Sequence, residues 1–186
     1  MIPQNLTGKL LVAPPSVLDR RFNNTVIYIS SHTASGAWGV VLNKPLEQVS
    51  IRSIMDKIGY HVNMEGTIHA GGPVDQTTVH FLHSAEVITH DTIVNEHGIC
   101  VSGDEQFVDK LLNDQIPEEY RVLIGACTWA PGQLEGELRG EDPWTPEHSW
   151  LVAPAIPTVV IGLDGMDQWH AAVDFAARSA VSEWMS

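Results

Sequence analysis

Basic residues are scarce in this sequence, which has 10 Lys and Arg against 23 Asp and Glu and a formal net charge of −13. A protein that grips nucleic acid needs a basic face to neutralise phosphates and release their counterions. Docking on anionic lipid headgroups makes the same demand. The charge balance therefore argues against direct DNA binding and against membrane association, and it is typical of a soluble acidic protein.

Cysteine, secretion signals and long apolar runs are also lacking. The two cysteines, Cys100 and Cys127, cannot form a disulfide framework and show no C-x-x-C spacing. The first residues lack the basic start and apolar stretch of a secretion signal. No apolar run approaches the ~20 residues that span a bilayer. We therefore expect a protein of the reducing cytoplasm.

Four common site signatures are missing: the phosphate loop, the G-x-G-x-x-G dinucleotide turn, the H-E-x-x-H zinc helix and the G-x-S-x-G elbow. Each of these chemistries needs its own backbone geometry, so we expect no cofactor. What remains is ordinary globular composition, with 44% apolar and 18% charged residues. The chain has no internal repeat or linker, and its 186 residues predict one domain over 1–186.

Short β-branched and aromatic runs predict strands near residues 9–13, 25–29, 38–42, 67–70, 78–83, 97–102, 120–124 and 157–162. Residues 32–36 are predicted as a long polar loop. Apolar residues at helical spacing predict helices at 51–58 behind an N-cap Ser50, after residue 104, and from Trp169 to Trp184. The early strands follow one another through short turns, which favours an α+β fold with largely antiparallel pairing.

Residues 125–138 are the best candidate site. They predict a strand end, a tight turn carrying Trp129, and a short helix that begins near Pro131. The unpaired amides of such a helix start, beside an indole, suit a ligand or a partner. Gln133 is predicted, more strongly, to bond back to the chain as half of a capping box. Asn43 and the turn at residues 71–73 are the candidate opposite wall.

Four co-linear segments and two further residues resemble the AlgH/YqgE family, namely residues 8–14, 36–45, 71–74 and 132–135 with Glu137 and Trp144. The resemblance implies an α+β fold with a bifurcated, coiled sheet flanked by helices. It also implies a regulatory role of the kind proposed for exopolysaccharide production, with no established reaction or cofactor. Residues 126–128 depart from the family's glycine-aromatic run. The predicted last helix runs to residues 184–186, where family members tend to have a glycine-bearing tail, so we expect the surface there to differ.

Three catalytic or metal-binding alternatives are weaker than their structural explanations. His80 and His83, near His69, His90 and Asp91, suggest a metal, but residues three apart on a strand face opposite ways. Cys127 as a nucleophile needs an orienting base, and buried cysteines are common. Glu135 and Glu137, two apart on a helix, diverge by roughly 200°. No metal site is therefore expected.

We interpret the sequence as a non-enzymatic, regulatory or partner-binding cytoplasmic protein that works through the surface from Trp129 to Glu137. The alternative is a small-molecule-binding protein or enzyme with a pocket at Cys127–Glu135. The partner is then a protein or a small molecule of unknown identity. The candidate binding residues are Asn43, Gly71, Gly72, Pro73, Cys127, Trp129, Gly132, Gln133, Glu135, Glu137 and Trp144.

Overall fold

The computed structural model describes residues 5–17, 22–141 and 149–185. The strands in these ranges are β1 Lys9–Val12, β2 Val26–Thr33, β3 Gly36–Val41, β4 Pro45–Ser50, β5 Thr67–Ala70, β6 Val74–Ser84, β7 Ile93–Val94, β8 Ile99–Ser102, β9 Tyr120–Trp129 and β10 Leu151–Pro154. The helices are α1 Ile51–Lys57, α2 Glu105–Leu112, α3 Gln133–Arg139, α4 Pro157–Val160 and α5 Gly165–Met185. None of these helices has both the length and the apolar composition needed to cross a bilayer.

One curled sheet runs in the order β10-β1-β2-β3-β9-β6-β8-β7, with every neighbouring pair along it antiparallel. It forks at β9. One edge of β9 pairs with β6, whereas the other pairs first with β5, in parallel, and then with β3. Gly125 lies between these two partners with φ +80°, a backbone angle that suits glycine. The predicted α+β class and the forked, coiled sheet are confirmed.

Side chains alternate between the two faces of the curled sheet, as the pleat requires. Tyr28 of β2 packs inside the curl with Val40, Leu82 and Val101, beneath α4 and α5. Its neighbours Ile27 and Ile29 pack on the outer face, and α3 covers them there. A further cluster lies between β6, β9 and the helices α1 and α2. The curl makes the sheet a half-barrel whose interior is a packed core.

The three longer predicted helices are confirmed. Ser50 caps α1 by accepting a hydrogen bond from the amide of Ser53, and Asp104 caps α2 through the amide of Phe107. Helix α5 runs for 21 residues across β10, β1 and β2, with Trp169, Ala172 and Ala176 in the core.

Two local predictions are wrong. Residues 32–36 are not a long loop, because β2 and β3 continue into a tight turn at Ala34 and Ser35. Residues 157–162 are not a strand, because Pro157 begins the helix α4, whose first position needs no amide hydrogen. The strand in this region is β10, which occupies the edge of β1 that an additional strand would need.

Candidate functional site

Trp129 does not offer a stacking face. It is the last residue of β9 and pairs with Ala37, and only 7% of it is exposed. Its indole Nε1 donates a hydrogen bond to Glu137 Oε2 at 3.2 Å. It packs with Leu134 and Leu138 on the outer face of the sheet. The prediction of an accessible indole at this corner is therefore wrong, because α3 folds back over it.

Glu137 is buried and joins three donors. Its Oε2 accepts hydrogen bonds from Trp129 and, at 2.7 Å, from the indole of Trp150, and its Oε1 accepts one from Gln133 Nε2 at 3.0 Å. Gln133 Oε1 accepts a bond from the Ala130 amide at 3.0 Å, so this side chain does bond back to the chain. These contacts make Glu137 the anchor of α3.

The start of α3 has fewer free amides than predicted. Gly132 lies before the helix with φ +76°, and the amide of Gln133 donates to the carbonyl of Ala130 at 3.0 Å. Glu135 points elsewhere, to His32 Nε2 at 3.1 Å, while His32 Nδ1 accepts from the Leu6 amide. The predicted divergence of Glu135 and Glu137 is confirmed, and Glu135 ties α3 to β2.

Cys127 is buried against the backbone, with Sγ 3.8 Å from the carbonyl oxygen of Gly71. Burial, helped by the nearby charge of Glu137, raises the pKa of its thiol to about 12. At neutral pH almost no Cys127 is therefore ionised. Only the thiolate form of a cysteine acts as a nucleophile. An enzyme built on Cys127 is disfavoured, and the packing interpretation is favoured.

The other candidate residues do not form an opposite wall. Gly71 and Gly72 lie in close contact with the backbone of β9, and the amide of Gly71 donates a hydrogen bond to the carbonyl oxygen of Ile124 at 2.7 Å. Asn43 is buried, and its side chain is bonded to the backbone: its Oδ1 accepts from the Val26 amide, and its Nδ2 donates to the carbonyls of Asn24 and Gly165. Pro73 is exposed. Trp144 lies outside the described residues.

The open end of the half-barrel forms a cavity of about 430 Å³, which we call the mouth. Trp38 precedes Val40 by two residues, and His80 precedes Leu82 by two, so each pair shares the inner face of its strand. Because Val40 and Leu82 belong to the core, the mouth lies directly beyond it. Its lining is Ser31, Trp38, His80, Asp91, Ile93, Val101, Ser102, Gly103 and Asp104.

Several polar groups of the mouth retain bonding capacity. Among the described residues, the side chains of Ser31 and Asp91 have no hydrogen-bond partner, and Asp91 is exposed. His80 packs against the indole of Trp38 with ring centroids 5.0 Å apart, and its buried Nε2 has no partner. Burial lowers the pKa of His80, so the imidazole is neutral at pH 7. Cavities of this size that combine apolar walls with a few polar groups are typical ligand sites.

Two of the lining side chains are already engaged. Asp104 Oδ1 accepts from the Phe107 amide at 2.9 Å, and its Oδ2 accepts from Thr89 Oγ1 at 3.0 Å. Ser102 Oγ lies 3.0 Å from His83 Nε2 and 2.8 Å from Thr92 Oγ1. These bonds hold both groups in fixed positions at the rim of the mouth.

The histidines do not gather around one point. His80 faces Trp38 inside the curl, whereas His83 stacks on Phe107 on the other face with centroids 4.5 Å apart. The expected opposite orientation of these two side chains is therefore confirmed. Within the described ranges, no three His, Cys, Asp or Glu side chains are grouped closely enough to hold a metal ion.

A buried arginine organises the opposite end of the core. Arg121 of β9 donates to the carbonyls of Leu42 and Leu163 and to Gln168 Oε1, at 2.5–2.8 Å. The neighbouring His69 bonds through Nε2 to Asp164 at 2.9 Å. These contacts clamp the segment between α4 and α5 onto the sheet, so we assign Arg121 a structural role.

A second concavity, of about 680 Å³, lies along the exposed end of α5 and is lined by Ala177, Arg178, Val181, Ser182 and Met185. Of the described lining residues, only Arg178 is charged, and it is already paired with Asp174 at 2.8 Å. These described residues include no convergent set of polar groups such as the mouth has. The mouth is therefore the stronger candidate site.

The sequence contained weak signals for the mouth. Trp38 lies in the segment at 36–45 that carries the family resemblance, and His80 and Asp91 stand out as polar residues near predicted strands. Sequence spacing does not bring them together, because the lining comes from β2, β3, β6, β7, β8 and two loops.

Comparisons with known proteins agree on one family. A family model described as AlgH-like (DUF179) matches residues 10–178. A UPF0301 protein of Photorhabdus laumondii is 30% identical over 175 residues, covering 90% of both chains. A UPF0301 protein of Azorhizobium caulinodans is 32% identical over 168 residues, covering 84% of this chain and 78% of the relative.

Two solved structures share the fold. The solution structure of the AlgH protein from Pseudomonas aeruginosa matches with a TM-score of 0.73 and 24% identity, over 94% of this chain and 90% of that one. A crystal structure of a Corynebacterium diphtheriae protein matches with a TM-score of 0.68 and 23% identity, over 90% of this chain and 85% of that one.

Proposed function

This chain belongs to the AlgH-like family, and we propose that it is a regulatory binding protein that acts in the cytoplasm without catalysis. Its binding site in this proposal is the mouth of the half-barrel rather than the corner from Trp129 to Glu137. Any influence on transcription then passes through a ligand or a partner protein, because the net charge of −13 opposes direct contact with DNA.

The observation that carries this proposal is the composition of the mouth. A cavity of about 430 Å³ combines the indole of Trp38 with the apolar side chains of Ile93 and Val101. Ser31 and Asp91 add polar groups with no hydrogen-bond partner among the described residues. An aromatic wall with a few available polar groups is what a specific small ligand, or one protruding side chain, requires.

The same region argues against catalysis. His80 has no hydrogen-bonded group to orient it in the described structure, and its lowered pKa makes it a weak base. The thiol of Cys127 lies outside the mouth and has a pKa of about 12. A nucleophile, a base and an orienting group must lie within hydrogen-bond reach of one another. Within the described part of the chain, neither His80 nor Cys127 has such companions.

Hydrolysis is the second candidate function, because Ser102 and His83 form a hydrogen-bonded pair at the rim. His83 Nδ1 lies 2.8 Å from the carbonyl of Ser84, so Nε2 is left to accept the Ser102 proton, as a general base would. However, His83 is 0% exposed and burial lowers its pKa, which opposes the imidazolium that catalysis needs. The binding role is favoured for that reason.

A fragment screen by protein NMR tests the binding role. We expect compounds to shift the indole resonance of Trp38 and the amides of β3 and β8 together, with Trp38→Leu weakening these effects. The control Ile58→Ala changes an apolar residue that is exposed at the end of α1, away from the mouth. Fragments that bind only elsewhere, or that bind the Trp38→Leu protein equally well, would contradict the proposal.

Two activity assays test the exclusions. We expect no hydrolysis of p-nitrophenyl acetate above that of Ser102→Ala, and no shift of duplex DNA in a gel at physiological salt. A loss of esterase activity in Ser102→Ala with an unchanged fold would support the hydrolase instead. A retarded DNA band would contradict the proposed indirect mode of regulation.

A further inference from the structure

We propose that the mouth selects an organic cation, an ammonium or guanidinium group held by the indole of Trp38 and the carboxylates of Asp91 and Asp104. This inference rests on the proposed function, because it names the chemical class that the same cavity would bind.

Among the described residues, the lining of the mouth carries a negative charge that no lining cation balances. It contains two carboxylates and no Lys or Arg. Neither Asp91 nor Asp104 forms a salt bridge within the described ranges, and the donors on Asp104 are a neutral amide and a neutral hydroxyl. The carboxylate of Asp75 adds a further negative charge near His80. An anionic ligand would meet repulsion here.

The imidazole of His80 does not supply the missing positive charge. Burial lowers its pKa, so at pH 7 it is neutral and leaves the field of the carboxylates intact. The whole chain, with a net charge of −13, also attracts cations toward the cavity.

The apolar part of the lining favours an organic cation over a metal ion. Tryptophan binds cations better than the other aromatic side chains through its π-electrons. Ile93 and Val101 provide surface for the alkyl part of a ligand, and the volume of about 430 Å³ suits a small organic molecule. The described residues offer no group of three metal-ligating side chains.

Asp104 also has a structural duty, since it caps α2 through the Phe107 amide. Asparagine caps a helix about as well as aspartate does. The substitution Asp104→Asn therefore removes the charge while keeping the cap, and it separates a role in binding from a role in folding. Asp91→Asn has no bond to lose among the described residues.

The test compares choline with its neutral isostere 3,3-dimethylbutan-1-ol in an NMR titration of the full chain at pH 7. We expect choline to shift the Trp38 indole resonance and to bind about tenfold or more tightly than the alcohol. N-acetyl-lysine methylamide and its trimethylated form are a further arm. Tighter binding of these peptides than of choline would indicate that the cation belongs to a partner protein rather than to a free metabolite.

Variants complete the experiment. The double substitution Asp91→Asn with Asp104→Asn, and separately Trp38→Leu, are each expected to weaken choline binding about tenfold. The control Glu47→Gln removes one exposed charge on β4, outside the lining of the mouth. It should leave the affinity for choline unchanged. Melting temperatures verify that each variant is folded.

The outcomes separate the two proposals. Equal binding of choline and the alcohol at the mouth would overturn the selection of cations and leave the binding role standing. Absence of choline binding up to tens of millimolar, or binding that the double variant does not weaken, would overturn it as well. If the fragment screen also gave no hits at the mouth, the proposed function would fall with it.

Discussion

Arg121 permits a sharp prediction about stability. Its side chain is 6% exposed, and its guanidinium donates to the carbonyls of Leu42, Ile161 and Leu163 and to the side chain of Gln168. The substitution Arg121→Met keeps much of the apolar volume but leaves these four acceptors without their donor. Three of these acceptors are main-chain carbonyls, which remain in place as buried acceptors whatever the neighbouring side chains are.

The expected loss follows from these contacts. Hydrogen bonds to a charged group contribute about 1.5–3 kcal/mol each but do not add independently, and breaking a buried charged network costs about 3–5 kcal/mol. With a urea dependence of about 2 kcal/mol per molar, a loss of about 4 kcal/mol lowers the urea midpoint by about 2 M. Free energies of unfolding are typically 5–15 kcal/mol, so the variant should be folded but marginal.

Urea titrations followed by circular dichroism measure this loss. The matched control is Arg178→Met on α5, whose arginine is 73% exposed and pairs only with Asp174 among the described residues. An exposed pair of this kind contributes about 0.3–0.5 kcal/mol. Arg121→Lys retains the charge but presents its donors from one nitrogen, so it should show most of the loss.

The reasoning would be refuted if Arg121→Met and Arg178→Met lowered the urea midpoint equally. Hydrogen exchange gives an independent check. Since Arg121 bonds to carbonyls just after α4, the amides of α4 and the start of α5 should lose protection first in Arg121→Met.

Three further predictions concern backbone, thiol and imidazole groups. Gly72→Ala should prevent soluble expression or lower the free energy of unfolding by several kcal/mol, because the added Cβ would clash with the Ala126 carbonyl. The control Gly132→Ala also lies at positive φ but in open space, so it should cost only about 1–2 kcal/mol. Equal losses in the two variants would contradict this reasoning. Ellman's reagent at pH 8 should label Cys127 only after unfolding, given its pKa of about 12. Burial lowers the pKa of His83 below its unfolded value, so the free energy of unfolding should fall as the pH drops from 7.5 to 5.5, and urea midpoints should fall less in His83→Gln.

Local patterns in the sequence predict much of the fold because they depend on neighbouring residues. The helical spacing of Ile51, Met55 and their neighbours predicts α1, and Ser50 marks its start. The two-residue period of strands correctly separates His80 from His83. The angle between helical residues likewise separates Glu135 from Glu137.

Long-range pairing escapes such patterns. The run at 151–154 becomes a strand because it pairs with β1, about 140 residues away in the chain, and this leaves the β-branched run after Pro157 to form α4. The sequence around Trp129 predicts an exposed turn residue. In the structure α3 covers it, and Glu137 accepts a hydrogen bond from its indole N–H. Local propensity contains neither fact.

The amino-acid sequence by itself therefore determined the acidic charge, through its composition. Its local patterns determined the α+β class and the helices that show their own periodicity. The tertiary structure decided which side chains reach solvent, since this depends on how the forked sheet curls around β9. That curl sealed the corner at Trp129 and brought Trp38, His80, Asp91 and Asp104 together at the mouth. A cavity lined from several strands and loops exists only once the sheet has closed, so no single stretch of sequence contains it.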